Sequence, residues 1–178
     1  FGPETDQGTI VRVDMPEDPL RISGVTQRSD GIHCAFDLDT NENITPSTII
    51  ASLAEAGLAA DHIFCAHDRL SLILYEENHP NLSGQLTTFG DKHALKPDVV
   101  EKIHTATMVG HALTGDPDLC KGSTAIIESI WTPKGVLVEP LALTFMFPRE
   151  ETPQEESKLF KIVSALHERY VVGTISEP

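Results

Sequence analysis

An α+β fold of two ferredoxin-like units is predicted for this chain, and three observations predict it. The element order β-α-β-β-α-β can be read twice along the 178 residues. Segments 49–64 and 126–140 both run from the end of a helix through a turn into a strand. Glycine and proline punctuate the chain at the expected joints. Right-handed crossovers then give antiparallel sheets with the helices of each unit on one face. The composition permits this: 40% of residues are hydrophobic and 22% charged, which suits packed cores and excludes a disordered chain.

Residues 8–13 are a short β-rich run, ended by Pro16 and Pro19. Residues 22–25 extend briefly, and Arg28 to Gly31 reads as a turn. Residues 32–38 alternate apolar and polar side chains, the pattern of a half-buried strand. After a polar loop, Thr45-Pro46 is an N-cap followed by proline at the first helical position, so a helix spans 46–56. Ile49, Ile50 and Leu53 form its stripe, and Gly57 ends it. Residues 62–66 and 70–75 are strands joined tightly through His67-Asp68-Arg69. A weaker helical pattern covers 78–93. Residues 99–103 and 105–109 are strand-like. A loop with Gly115, Asp116 and Pro117 precedes a helix over about 121–131. Residues 136–138 and 141–147 are strands. Pro153 starts a helix that ends near Arg169, with Leu159, Ile162, Val163 and Leu166 inside, and residues 170–172 form a closing strand.

The net charge is −14, which disfavours nucleic acid and anionic lipid, since both need clustered Lys and Arg. No apolar run is long enough to span a membrane. Cys34, Cys65 and Cys120 give neither a disulfide framework nor a CxxC pattern, so a reduced, cytoplasmic setting is expected. Phosphate-binding glycine patterns are missing: there is neither GxxxxGK[ST] nor GxGxxG after a strand. His62 and His67, flanked by Asp61 and Asp68, do not share one compact face as two histidines on a helix do, so no metal site is expected. Cys65 and His67 share a strand face and Cys34 points inward; buried cysteines usually act as small hydrophobes. Asp37 and Asp39 share a face beside a helix N-terminus. They read as an acid–base pair, as a solvated loop, or as the holder of a ligand ammonium whose carboxylate meets Thr45, Ser47 and Thr48. An amino acid has that charge pattern.

Five segments then resemble one family. Gly8-Thr9-Ile10-Val11, Ile22-Ser23-Gly24-Val25, and Ala54-Glu55-Ala56-Gly57-Leu58 followed by Asp61 and Ile63 are similar to successive motifs of the aspartokinase regulatory region. So are Thr107-Met108-Val109-Gly110 and Ala165-Leu166-His167-Glu168 followed by Tyr170. That region carries tandem ACT units, with the first inserted into the second. The resemblance implies a first unit over 21–97 and a second over 8–20 plus 98–178, with residues 8–13 in the second sheet. It implies feedback control by a Lys- or Thr-type effector and a homodimer formed through the ACT sheets. Effector contacts carried over are Asp39, Asn41, Thr45, Pro46, Ser47, Ala60, Asp61 and Cys65. A second loop would offer Leu113, Asp116, Pro117 and Asp118. Catalytic residues are not expected on this chain. ATP and Mg are expected only on an attached kinase lobe, in cis or as a large subunit. The chain starts at Phe1 and is expected to be a fragment or a free regulatory subunit. It departs from the family where Asn41 to Ile44 replaces Asp-x-Pro-Gly, where Cys65 replaces Gln, and where Asp118 replaces Gly. The alternative is a structural dimerisation module that has lost effector binding.

Overall fold

A computed structural model describes residues 22–38, 45–66, 68–111, 113–150 and 152–172. The expected strand at 8–13 lies outside them. Over the described residues the fold is α+β, as expected, with one six-stranded antiparallel sheet and four α-helices. The strands are β1 (Ile22–Asp37), β2 (His62–Cys65), β3 (Arg69–Tyr75), β4 (Pro97–Gly110), β5 (Gly135–Glu139) and β6 (Ala142–Pro148). The helices are α1 (Pro46–Glu55), α2 (Leu82–His93), α3 (Pro117–Ile130) and α4 (Pro153–His167). The sheet order is β2-β3-β1-β4-β6-β5.

Two strands are much longer than the sequence pattern implies. β1 runs unbroken through the expected turn at Arg28–Gly31, and β4 joins the two runs read separately at 99–103 and 105–109. The turn-like residues are absorbed as a bulge, where the β1–β4 register shifts between Arg28 and Gly31. There the Arg28 guanidinium makes two contacts to Asp30, at 3.1 and 2.9 Å, and Asp30 also accepts the Glu77 amide. Gly31 permits the close approach of Ile103; a Cβ would stand 2.8 Å from its Cγ1.

The long strands serve both halves. Their far parts pair around Cys34 and Val100, beside β3. Their near parts pair around Val25 and Met108, beside β6. Each half is therefore four strands wide, and β1 and β4 run through both.

Three of the four helices begin with the same device, a capping residue followed by proline. Thr45 caps α1, Asp116 caps α3, and Thr152 opens a capping box with Glu155 on α4. α3 therefore starts four residues earlier than expected, because Asp116 Oδ1 accepts both the Asp118 and Leu119 amides at 3.1 Å. The expected strand at 170–172 is instead a π-turn (Glu168–Val172) continuing α4. Tyr170 lies one helical turn beyond Leu166 and packs on the same core, so the helical path buries it and an extended one would not. Gly122 of α3 leaves room for its hydroxyl; a Cβ there would lie 2.5 Å away.

The helices cover one face of the sheet over two cores. One gathers Phe36, Leu53, Leu72, Leu74 and Phe89; the other gathers Met108, Ile127, Phe145, Phe147 and Ile162. Phe36 meets Phe89 edge-on at 5.2 Å, a geometry that adds about 0.5–1.5 kcal/mol to the burial itself. Ile50 does not join the α1 stripe; it is 52% exposed. On the opposite face a smaller cluster holds Ile73, Tyr75 and Ile103, with Leu137 and Met146 against it. Strand alternation explains the division, since Ile73 and Tyr75 point away from Leu72 and Leu74. The sheet curls around this third cluster. β2 and β5 lie at opposite edges, yet His62 Nδ1 reaches Glu139 Oε1 at 3.3 Å.

Candidate functional site

The first expected effector loop is only partly described: Asp39 and Asn41 lie outside the described residues. The rest sits at two places. Thr45 is the N-cap of α1, and its hydroxyl accepts the Thr48 amide at 3.3 Å. Pro46 follows at the first helical position, and Ser47 is exposed, its hydroxyl 3.0 Å from that of Thr45. This turn combines hydroxyls with the positive end of a helix dipole, a setting suited to a carboxylate.

Ala60, Asp61 and Cys65 lie on and before β2. Ala60 packs against the first core. Asp61 is exposed, while its amide donates to the Ile73 carbonyl at 3.0 Å. Cys65 also packs on the first core, and burial pushes its thiol up. The fully buried Cys34 thiol is pushed up to about 12 by burial. Neither is a thiolate near neutrality, so neither is a ready nucleophile. The loop from α1 to β2 is held from below by buried His79. Its Nε2 stands 3.0 Å from the Ala59 carbonyl, and its Nδ1 faces Gln85, whose amide donates to the Gly57 carbonyl.

The second expected loop is organised differently. Leu113 is fully buried in the second core, and its carbonyl accepts the Cys120 thiol. Asp116 is committed to capping α3, Pro117 occupies its first position, and Asp118 is exposed in the first turn. Leu113 and the Asp116 carboxylate therefore hold the helix entry. A polar ligand reaching this loop would meet Asp118 and the helix end.

A polar group that the sequence reading missed lies on the face away from the helices. His33 Nε2 is 2.8 Å from the Ser71 hydroxyl, and His33 Nδ1 is 3.9 Å from Glu101 Oε2. Lys134 pairs with the same Glu101 oxygen. Burial holds His33 below the ordinary histidine range; Glu101 opposes that, while Lys134 and Arg69 add to it. These residues come from β3, β1, β4 and the turn before β5. Only the long-range strand register brings them together, and period-2 alternation could have flagged them only as outward polar residues.

Among the described residues no group of three or more His, Cys, Asp or Glu side chains is arranged to hold a metal, and no helix is long and apolar enough to cross a membrane. All three cysteines are free.

Comparison by sequence finds no matching family model and no matching curated protein. Comparison by structure finds the fold. The regulatory subunit of aspartate kinase from Thermus flavus superposes with a TM-score of 0.60 at 15% identity, covering 82% of this chain and 98% of that one. The E. coli aspartokinase III complex with lysine and aspartate gives 0.62 at 13% identity, over 87% of this chain and 34% of that one. The aspartate kinase from Synechocystis gives 0.63 at 14% identity, over 94% and 30%. The chain thus spans nearly all of a separate regulatory subunit and about a third of the whole kinases. The α+β fold class that the resemblance implies is the one observed over the described residues.

Proposed function

We propose that this chain is the regulatory part of an aspartate kinase, sensing an amino acid of Lys or Thr type and passing that signal to a catalytic partner. The observation that carries this reading is the near-complete match in fold to a separate regulatory subunit. The lysine-bound E. coli aspartokinase III adds a reason to put lysine among the first effectors tried. The contacts are proposed at the hydroxyl-rich start of α1, where Thr45 and Ser47 meet the helix dipole, and along Ala60, Asp61 and Cys65. Asp39 and Asn41 would complete that site, and Asp118 would serve a second one. ATP and Mg belong, in this reading, to the kinase lobe. The division at residues 97 and 98, a homodimer through the sheets and a cytoplasmic setting are parts of the same proposal; the three free cysteines support the last.

Calorimetric titration with Lys, Thr and Met tests the sensor. At a ligand concentration one hundred times Kd, stability should rise by about 2.7 kcal/mol, readable as a melting shift. The coupling passed to a kinase partner should be about 1–3 kcal/mol. Absence of both heat and melting shift with every amino acid would overturn the sensor.

The second reading, a dimerisation module without effector, is favoured by one observation: the Thr45 hydroxyl already accepts the Thr48 amide. It predicts a sedimenting dimer whose mass is indifferent to added amino acids.

A further inference from the structure

The face of the sheet away from the helices carries a constellation unrelated to amino-acid sensing. Ser71, His33 and Glu101 stand on three neighbouring strands, β3, β1 and β4. His33 and Glu101 are direct partners in the β1–β4 ladder, and Ser71, opposite Ala35, lies diagonally from His33. The hydroxyl, imidazole and carboxylate follow in that order, at 2.8 and then 3.9 Å.

We propose that Ser71 is an acyl-accepting nucleophile, with His33 as its base and Glu101 as a positioning residue, reacting with small esters of apolar carboxylic acids. A serine hydroxyl is a weak nucleophile unless a neighbouring base takes its proton. For that, His33 Nε2 must be an unprotonated acceptor and Nδ1 must carry the hydrogen. Glu101 favours this tautomer, as the carboxylate does in other hydroxyl–imidazole–carboxylate triads. The 3.9 Å separation is loose, as such contacts often are before substrate arrives. Burial favours the neutral imidazole near pH 7. The charged groups that act on it are Glu101 from β4, Lys134 from the turn before β5 and Arg69 from β3. The apolar preference comes from Phe64, directly opposite Ser71 on β2 and 61% exposed. It offers a platform for the acyl group beside the nucleophile.

The step balances without redox chemistry. Ser71 Oγ attacks the ester carbonyl carbon while its proton passes to His33 Nε2. The bond from that carbon to the leaving oxygen breaks, and the leaving alkoxide takes the proton from His33 and departs as an alcohol. Acyl-Ser71 and neutral His33 remain. β3 lies between β2 and β1, so its amides are held in ladders and supply no oxyanion hole. Arg69, two residues before Ser71 on the same face, is the cation available to the developing oxyanion, in exchange for its 3.4 Å pair with Asp98. His33, neutral again, can then take a proton from a water that attacks the acyl carbon, which releases the carboxylic acid and free Ser71, so the acyl-serine is trapped by acid quench before that step.

The test uses p-nitrophenyl acetate and the whole chain, reading nitrophenolate release, intact mass and peptide mapping. One acetyl group per chain is expected on Ser71, and none there in Ser71→Ala. His33→Gln should slow acetylation of Ser71 about a hundredfold, within the usual range for a general base. Glu101→Gln should slow it about tenfold and move the midpoint of the pH–rate profile down, because the removed charge favours imidazolium. A purely structural role for Glu101 would not move that midpoint. In the unmodified chain the rate should rise with pH as a single group deprotonates, so the idea survives a variant that fails to fold. Acetyl groups on lysines alone, a flat pH profile, or unchanged labelling in His33→Gln would each overturn it. Amino-acid titration is a separate readout, so failure here leaves the sensor reading standing.

Discussion

The two halves of the sheet share a plan but hold their helices differently. In the half that contains α1 and α2 the core centres on Phe36 and Phe89, and its buried imidazole, His79, faces the neutral Ala59 carbonyl and Gln85 side chain. In the half that contains α3 and α4 a charge is built into the packing. His104 and Glu155 are both buried, 3.3 Å apart, beside Trp131, which stacks on Phe147 at 4.8 Å. Glu155 also accepts the amides of Glu150 and Thr152. His104 Nδ1 is buried with no partner among the described residues. One half thus depends on shape. The other depends on shape plus one helix-capping carboxylate that must stay ionised, which makes it the acid-sensitive half.

The largest test removes a ring from each core. Phe89→Ala and Phe145→Ala should each cost about 3–5 kcal/mol in denaturant unfolding. The two should lower a single shared transition, because β1 and β4 belong to both halves. Two separate transitions would break the picture of one cooperative sheet.

Next comes the charge. Glu155→Gln should cost about 2 kcal/mol at neutral pH, the scale for hydrogen bonds to an ionised group. Burial pushes the Glu155 carboxyl up, but the Glu150 amide, His104 and the Thr152 amide outweigh it and hold it below the ordinary glutamate range. The stability it adds is therefore present above the unfolded value of about 4.3 and is lost as pH falls toward the folded one. Stability measured against pH should show this acid loss in the parent chain and a shallower one in Glu155→Gln.

Gly31→Ala probes the junction. Its Cβ would meet Ile103 side-chain and backbone atoms at 2.8 and 3.0 Å, so a loss of about 1–3 kcal/mol is expected. The smallest effects belong to the caps. Asp116→Ala should cost about 1 kcal/mol and Thr45→Ala less, since Asp116 accepts two amides and Thr45 one. Equal losses would mean that the caps do not distinguish the halves.

Much of this was legible from local chemistry. Cap-then-proline pairs mark where helices begin, and apolar stripes at Leu86 and Phe89, or Leu159, Ile162 and Leu166, mark what they bury. Misreadings arose where distant residues decide. Arg28 to Gly31 has the composition of a turn, yet Glu77 and Ile103, far along the chain, make it a bulge in a continuous strand. Tyr170 is β-prone by type but is drawn into a helical path by the space above Gly122. Of the expected effector contacts, Leu113 is core and Asp116 a cap, roles that a motif alone does not separate from ligand binding. The polar group around His33 depends wholly on register, which no local pattern encodes.

The sharing of β1 and β4 has a kinetic meaning. Val25 pairs with Met108 and Ile32 with Lys102, contacts that close loops of roughly seventy residues or more. Neither half has its four strands until that closure is made. Contacts of such span slow folding, so this chain should fold in one late step rather than half by half. On the ribosome, β1 would wait unpaired on its β4 side until the segment around Met108 emerges. A chain ending near residue 96 would lack one strand of the first four-stranded set and three of the second, and its Ile22–Arg28 stretch would be an open edge.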